Sequence, residues 1–195
     1  MRRELHVRFC EGVGVRFPRA TRLVMGFSRE ADARRVLDVL PKRMGKYGLT
    51  LHPEKTRLVR FERPKDSAQP ESFDFLGFTH YWAKSLSGWW VIKQKTAKSR
   101  FTRSLNRLRT WCRQWLHLPV AEQHQHLCAA LRGHYGYFGI TGNSAALGRF
   151  AYEVKRVWHK WLARRSQRGM SWERFARLVA RFPLPPPRVR RHALA

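Results

Sequence analysis

Ten basic side chains in this 195-residue sequence recur at a spacing suited to binding a polyanion. Arg100, Arg103, Arg107, Arg109 and Arg113 form one group, and Arg149, Lys155, Arg156, Lys160 and Arg164 form another. A guanidinium forks onto phosphate oxygens and stacks on bases, so each group is expected to neutralise phosphates. Between them, in "RGHYGYFGITGN", Tyr135 and Tyr137 carry π faces of the kind that stack on unpaired bases, although aromatics beside glycines at a helix end also serve as core plugs. A separate cation, Lys55 in "LHPEKT", stands just after a His-Pro turn. On the sequence alone it reads as a solvated turn lysine. His124, His126 and Cys128 invite a metal reading, but on a helix only His124 and Cys128 share a face and no fourth ligand follows, so zinc is not expected.

The overall charge fits such a partner. Forty Lys and Arg against thirteen Asp and Glu give a formal charge of +27, and the acids are concentrated early: ten lie in residues 1–95 and three in residues 96–195, with twenty basic residues in each part. A folded body with that self-repulsion points to nucleic acid. Eight Trp and 13% aromatic residues favour RNA or single strands over a membrane surface. The three cysteines, Cys10, Cys112 and Cys128, are too few and too widely spaced for a disulfide framework or a zinc knuckle. With no apolar run of membrane-spanning length and no signal-peptide core, a cytoplasmic location and no membrane partner are expected.

The elements that must position these residues change character near Lys95. Residues 1–19 show no convincing period and are expected to be poorly ordered, foreign to the rest, or a makeshift edge strand. Leu23 to Phe27 reads as a strand. Ser28 is placed to cap a helix from Arg29, which Pro41 should kink or split and Gly48 should end. "LTLHPEKTRLVRF" continues as strand, turn and strand, "ERPKDSAQPES" is a polar loop, and "FDFLGFTHYW", a Ser-Leu-Ser-Gly turn and "WWVIKQK" form a β-hairpin.

From Thr96 the period becomes 3.6. Phe101, Leu105, Leu108, Cys112 and Trp115 trace the inner face of one helix. Pro119 opens a second, running to about Tyr135, with Gly133, Gly136, Gly139 and Gly142 punctuating the chain after it. Phe150, Val154, Val157, Trp158 and Trp161 line a third, and Ser171 to about Phe182 makes a fourth. The fold class is therefore α+β, with an α/β part followed by an all-α basic bundle, and residues 184–195 form a basic Pro-rich tail.

In this order, "GLTLHPEKTRLVRF", "FDFLGF" and "GHYGYFG" resemble the C-terminal part of a group II intron-encoded reverse transcriptase, the maturase family, over roughly residues 20–183. The resemblance implies that residues 20–95 are the C-terminal part of a reverse-transcriptase palm ending in a primer-grip hairpin, and residues 96–183 a helical thumb/X (maturase) domain. It puts Lys55 near an incoming nucleotide and makes Phe75, Leu76, Gly77 and Phe78 the primer grip, where a glycine lets backbone approach a strand. Family activity is RNA-directed DNA polymerisation with Mg²⁺ together with intron splicing and mobility. The implied partners are group II intron RNA and an RNA/DNA primer-template.

The same resemblance exposes a departure. The family's Tyr-Ala-Asp-Asp turn, whose aspartates hold the metal ions, aligns with Arg19, Ala20, Thr21 and Arg22. Neither Thr21 nor Arg22 is a carboxylate. Aligning "VRFCEG" instead supplies Glu11 alone. The expectation is a chain that binds RNA, needs no cofactor of its own, and polymerises only if a separately encoded fingers-palm polypeptide completes it. Two other readings are a general basic RNA-chaperone module and a nonfunctional remnant.

Overall fold

The computed structural model describes residues 6–14, 21–53, 56–64 and 71–189. Among the described residues, seven strands and five helices follow in the order β1 (His6–Gly14), β2 (Thr21–Phe27), α1 (Glu30–Gly45), β3 (Thr50–Leu51), β4 (Thr56–Arg60), β5 (Phe73–Phe75), β6 (Phe78–Lys84), β7 (Trp90–Thr96), α2 (Lys98–Gln114), α3 (Val120–Phe138), α4 (Ser144–Ala163) and α5 (Trp172–Arg181). The fold is α+β. The chain divides into two units, residues 1–76 with 80–93, and residues 77–79 with 94–195.

The first unit is built on β1, which was expected to be unordered or an edge. It is an interior strand, antiparallel to β2 along one side and to β4 and β3 along the other. The pairing runs Glu11 to Arg22 and then Val13 to Thr21, so Gly12 is an inserted bulge residue. A bulge reverses the phase of the two-residue alternation begun by Val7 and Phe9, which is why no single period was visible.

Helix α1 packs against β2 and β3 and buries Ala33 and Leu40. Its cap is Arg29, held in extended conformation with no side-chain bond, so Ser28 stands one residue too early to cap. The helix also runs unbroken through Pro41, which forfeits one main-chain bond with only four helical residues remaining beyond it. Gly48, at φ +67°, ends it as expected: the N–H of Leu49 reaches the Met44 carbonyl and that of Gly48 the Gly45 carbonyl, each at 3.0 Å, the Schellman arrangement.

Strands β5, β6 and β7 form an antiparallel sheet in that order. The small core of the first unit gathers Val59, Phe61 and Phe73 with Val24, Phe75 and Trp82 around it. Phe61 meets Phe73 edge-on at 4.7 Å and lies over Trp82 at 5.5 Å. His80 stacks on Phe73 at 4.8 Å, and burial lowers its pKa against the opposing pull of Asp74.

The second unit packs α2, α3, α4 and α5 around Leu105, Leu127, Leu131, Leu147, Phe150 and Trp158. Gln123 and Trp158 show how buried polar groups are satisfied where its helices meet. Gln123 Nε2 donates to the carbonyls of Trp115, Leu116 and Leu118 (3.3, 3.1 and 3.0 Å), which the end of α2 leaves without helical partners. Gln123 Oε1 in turn accepts the indole N–H of Trp158 at 3.0 Å. Pro119 caps α3 through its carbonyl, which accepts from Glu122 and Gln123 at 3.1 Å each. Helix α3 runs on to Phe138, so Gly133 and Gly136 lie inside it rather than after it. Ser171 caps α5, its hydroxyl accepting from Arg174 N–H at 3.3 Å. Among the described residues no helix is long and apolar enough to cross a membrane.

Candidate nucleic-acid interface

The apolar stripe of α2 is as expected, with Leu105, Leu108 and Cys112 buried and Phe101 packed against them, except that Trp115 at its end is exposed. At 100° per residue the arginines opposite this stripe separate into two flanks. Arg100, Arg103 and Arg107 lie along one edge, and Arg109 and Arg113 along the other. Arg103, Arg107, Arg109 and Arg113 are exposed, and Arg100 is half-buried. On α4, Arg149, Arg156, Lys160 and Arg164 form one exposed row and Lys155 stands on the opposite flank.

Among the described residues, of these ten only Arg156 has an ion pair, with Glu153 at 3.3 Å. Arg156, Lys160 and Arg164 follow one another at four-residue intervals. Like charges so placed cost about 0.2–0.5 kcal/mol per pair in the absence of an anion. Trp161 offsets part of this, its ring lying 5.1 Å from the Arg164 guanidinium and 5.9 Å from the Lys160 ammonium.

Tyr135 and Tyr137 have different fates. Tyr135 is 3% exposed and packed in the core, and burial pushes its hydroxyl pKa up to about 12. The base-stacking role expected of it is therefore corrected: its ring is enclosed because residues 127, 131, 135 and 138 share the inner face of α3. Tyr137 is 52% exposed and lies over Phe78 at 5.8 Å. His124 Nε2 approaches both Cys128 Sγ (3.2 Å) and the Pro183 carbonyl (2.9 Å), so the pair closes on the chain after α5. Cys112 and Cys128 are both free and buried, and burial raises both thiol pKa values, that of Cys112 to about 12.

The "FLGF" segment forms the β5–β6 turn. Leu76 (φ +48°) and Gly77 (φ +85°) both take left-handed conformations, as a two-residue type I′ turn requires. Phe75 is half-buried. Gly77 is itself buried and its carbonyl accepts Ala97 N–H at 2.9 Å, so the exposed residue of the turn is Leu76. Phe78 sits edge-on to Phe138 at 5.3 Å. Lys55 lies outside the described residues.

Thr21 and Arg22 are the first residues of β2, opposite Val13 and Glu11. Neither side chain supplies the carboxylate oxygens that Mg²⁺ prefers, and among the described residues no cluster of three His, Cys, Asp or Glu stands ready for a metal. The metal pair of a polymerase does not fit these positions.

One feature of the second unit went unread in the sequence. A groove of about 460 Å³ lies between α2 and α3, with Arg107 and Trp111 on one wall, His126, His134 and Tyr137 on the other, and Ala129, Ala130 and Gly133 giving it depth. Its signal is a run of small residues on α3 facing a Trp on α2, obscured by reading Gly133 as a helix terminator. No family model matches the chain, and no curated protein is similar enough to it to be counted a relative.

Proposed function

We propose that the chain is an RNA-binding protein of the group II intron reverse transcriptase/maturase kind, whose first unit corresponds to the end of a palm with its primer-grip hairpin and whose second unit corresponds to the thumb/X domain. Its ligand is structured intron RNA. Polymerisation is not assigned to this chain, because the positions aligned with the catalytic aspartates hold Thr21 and Arg22.

The observation that carries this reading is the row Arg149, Arg156, Lys160 and Arg164 on α4, together with the arginine flanks of α2. These are cations on rigid helices, with Glu153 the one carboxylate found paired to them among the described residues. Regularly spaced cations of this kind match the regular spacing of phosphates. The order of elements supports the family reading: a strand hairpin and helix, a second hairpin entered through a tight Leu-Gly turn, then four helices, of which α2, α4 and α5 are rich in basic residues.

The test is the triple substitution R149Q/K160Q/R164Q, compared with K42Q/R43Q/K46Q at the end of α1, which removes the same charge elsewhere. Each lost phosphate contact lowers the log–log salt slope of RNA binding by about 0.7–0.9, so the α4 variant loses about two to three units of slope. The α1 variant keeps the wild-type slope. Equal losses from both would reduce the surface to undirected net charge.

A further inference from the structure

The groove between α2 and α3 has a chemistry distinct from the arginine rows beside it. Its α2 wall is Ser104, Arg107, Leu108 and Trp111, which recur at the three- and four-residue intervals of one helix stripe and share the flank that carries Arg100 and Arg103. Across from them, His126 lies flat against Trp111, ring centroids 3.7 Å apart and planes 6° from parallel. The floor holds His134, 8% exposed and stacked on Phe150 at 3.7 Å, whose Nε2 is buried with no hydrogen-bond partner.

We propose that this groove receives a single unstacked base of a bound RNA, which lies against the Trp111–His126 pair while Arg107 takes the adjoining phosphate. The proposal rests on the RNA-binding reading and names a subsite within it.

Four observations select this occupant. The volume, about 460 Å³, falls within the range of about 300–1,000 Å³ typical of small-molecule sites, and the depth comes from Ala129, Ala130 and Gly133, whose short side chains leave room for a flat ring between the helices. No carboxylate lines the groove, and the cation at its edge, Arg107, has no acidic partner among the described residues. The two imidazoles that line it are held toward the neutral form. Burial, and for His126 also the nearby Arg107, lowers both imidazole pKa values, that of His134 to about 4. A neutral imidazole offers one donor and one acceptor, which suits a base edge better than a phosphate. The parallel aromatic pair supplies the stacking platform that sequence-tolerant single-strand binding uses.

The experiment uses the full chain and two RNAs of equal phosphate count: a single-stranded oligouridine carrying one 2-aminopurine, and a blunt duplex. Affinity is read by anisotropy of an end label, and stacking by quenching of the 2-aminopurine emission. The expected result is quenching on binding the single strand. A129L, which fills the groove, and H126A, which removes half the platform, abolish the quenching and weaken single-strand binding by about fivefold or more while duplex affinity stays within about twofold. Both variants are checked for a cooperative melt like that of the wild type. Quenching and affinity untouched by either variant would overturn the groove as a base site and leave the RNA-binding reading standing. Absence of binding to either RNA would overturn that reading itself.

Discussion

Asn143 and Thr96 are held together by two hydrogen bonds that together use both ends of the asparagine amide: Oδ1 accepts the Thr96 main-chain N–H at 2.9 Å, and Nδ2 donates to Thr96 Oγ1 at 2.8 Å. Nδ2 donates a further bond to the Phe138 carbonyl at 2.8 Å, and the side chain is 1% exposed. One amide thus joins the end of β7, the end of α3 and the start of α4. Removing it strands the buried N–H of Thr96, while the Phe138 carbonyl keeps its bond from the Ile140 N–H at 2.9 Å. N143A is expected to cost about 1–3 kcal/mol, the cost of one unsatisfied buried group. N143D, which keeps an acceptor but loses both donated bonds, should fall on the same side. Urea unfolding with an unchanged m-value checks both.

Gly139 and Gly136 should respond in opposite directions to the same substitution. A Cβ on Gly139 would overlap the Tyr135 carbonyl oxygen and lie 2.8 Å from that of Arg188, and main-chain atoms yield little. G139A is expected to destabilise by about 1–3 kcal/mol, the usual cost of overpacking. Gly136 lies inside α3 with open space where its Cβ would be, so G136A should stabilise by about 0.5–1 kcal/mol. Thermal melts of the two variants, run side by side, read the difference directly.

Buried His134 makes stability depend on acid. Its folded pKa is lowered by burial to about 4 from an ordinary 6.5, so between those values the unfolded chain binds the extra proton. Its contribution is complete above about pH 6.5 and is lost as pH falls toward 4, by an amount on the order of 2 kcal/mol after allowing for partial screening of the ring. His80 and His126 shift in the same direction, so the readout is a difference. H134F retains the flat ring over Phe150 and cannot titrate. The stability gap between H134F and wild type should move in favour of H134F from pH 7 to pH 4.5, and a gap independent of pH would contradict the burial of a neutral imidazole.

What the sequence made legible was mostly helical. The stripe Leu105, Leu108 and Cys112 and the stripe Phe150, Val154, Val157 and Trp158 are buried as their spacing predicts, because a single apolar face is a property of a short sequence window. Gly48, an equally local stop signal, was legible for the same reason.

The failures involve information that is not local. The interior position of β1 depends on partners from β2, β3 and β4, and its bulge at Gly12 hides the alternation. Tyr135 was read by residue type, but which side of α3 is enclosed depends on where α2 and α4 pack. The groove at Trp111 and His126 belongs to two helices at once, so neither segment announces it. Splitting the α2 arginines into two flanks needed only helical geometry, yet counting charges along the sequence merged them.

The most direct measurement of the central claim is a salt titration of the purified chain binding a group II intron RNA beside a random RNA of equal length. The account predicts a steep fall of log K with log salt for the intron, set by several phosphate contacts, and a clear preference for the intron that persists across the titration. Equal affinity for both RNAs at every salt concentration would contradict it, leaving a basic surface without recognition of intron structure.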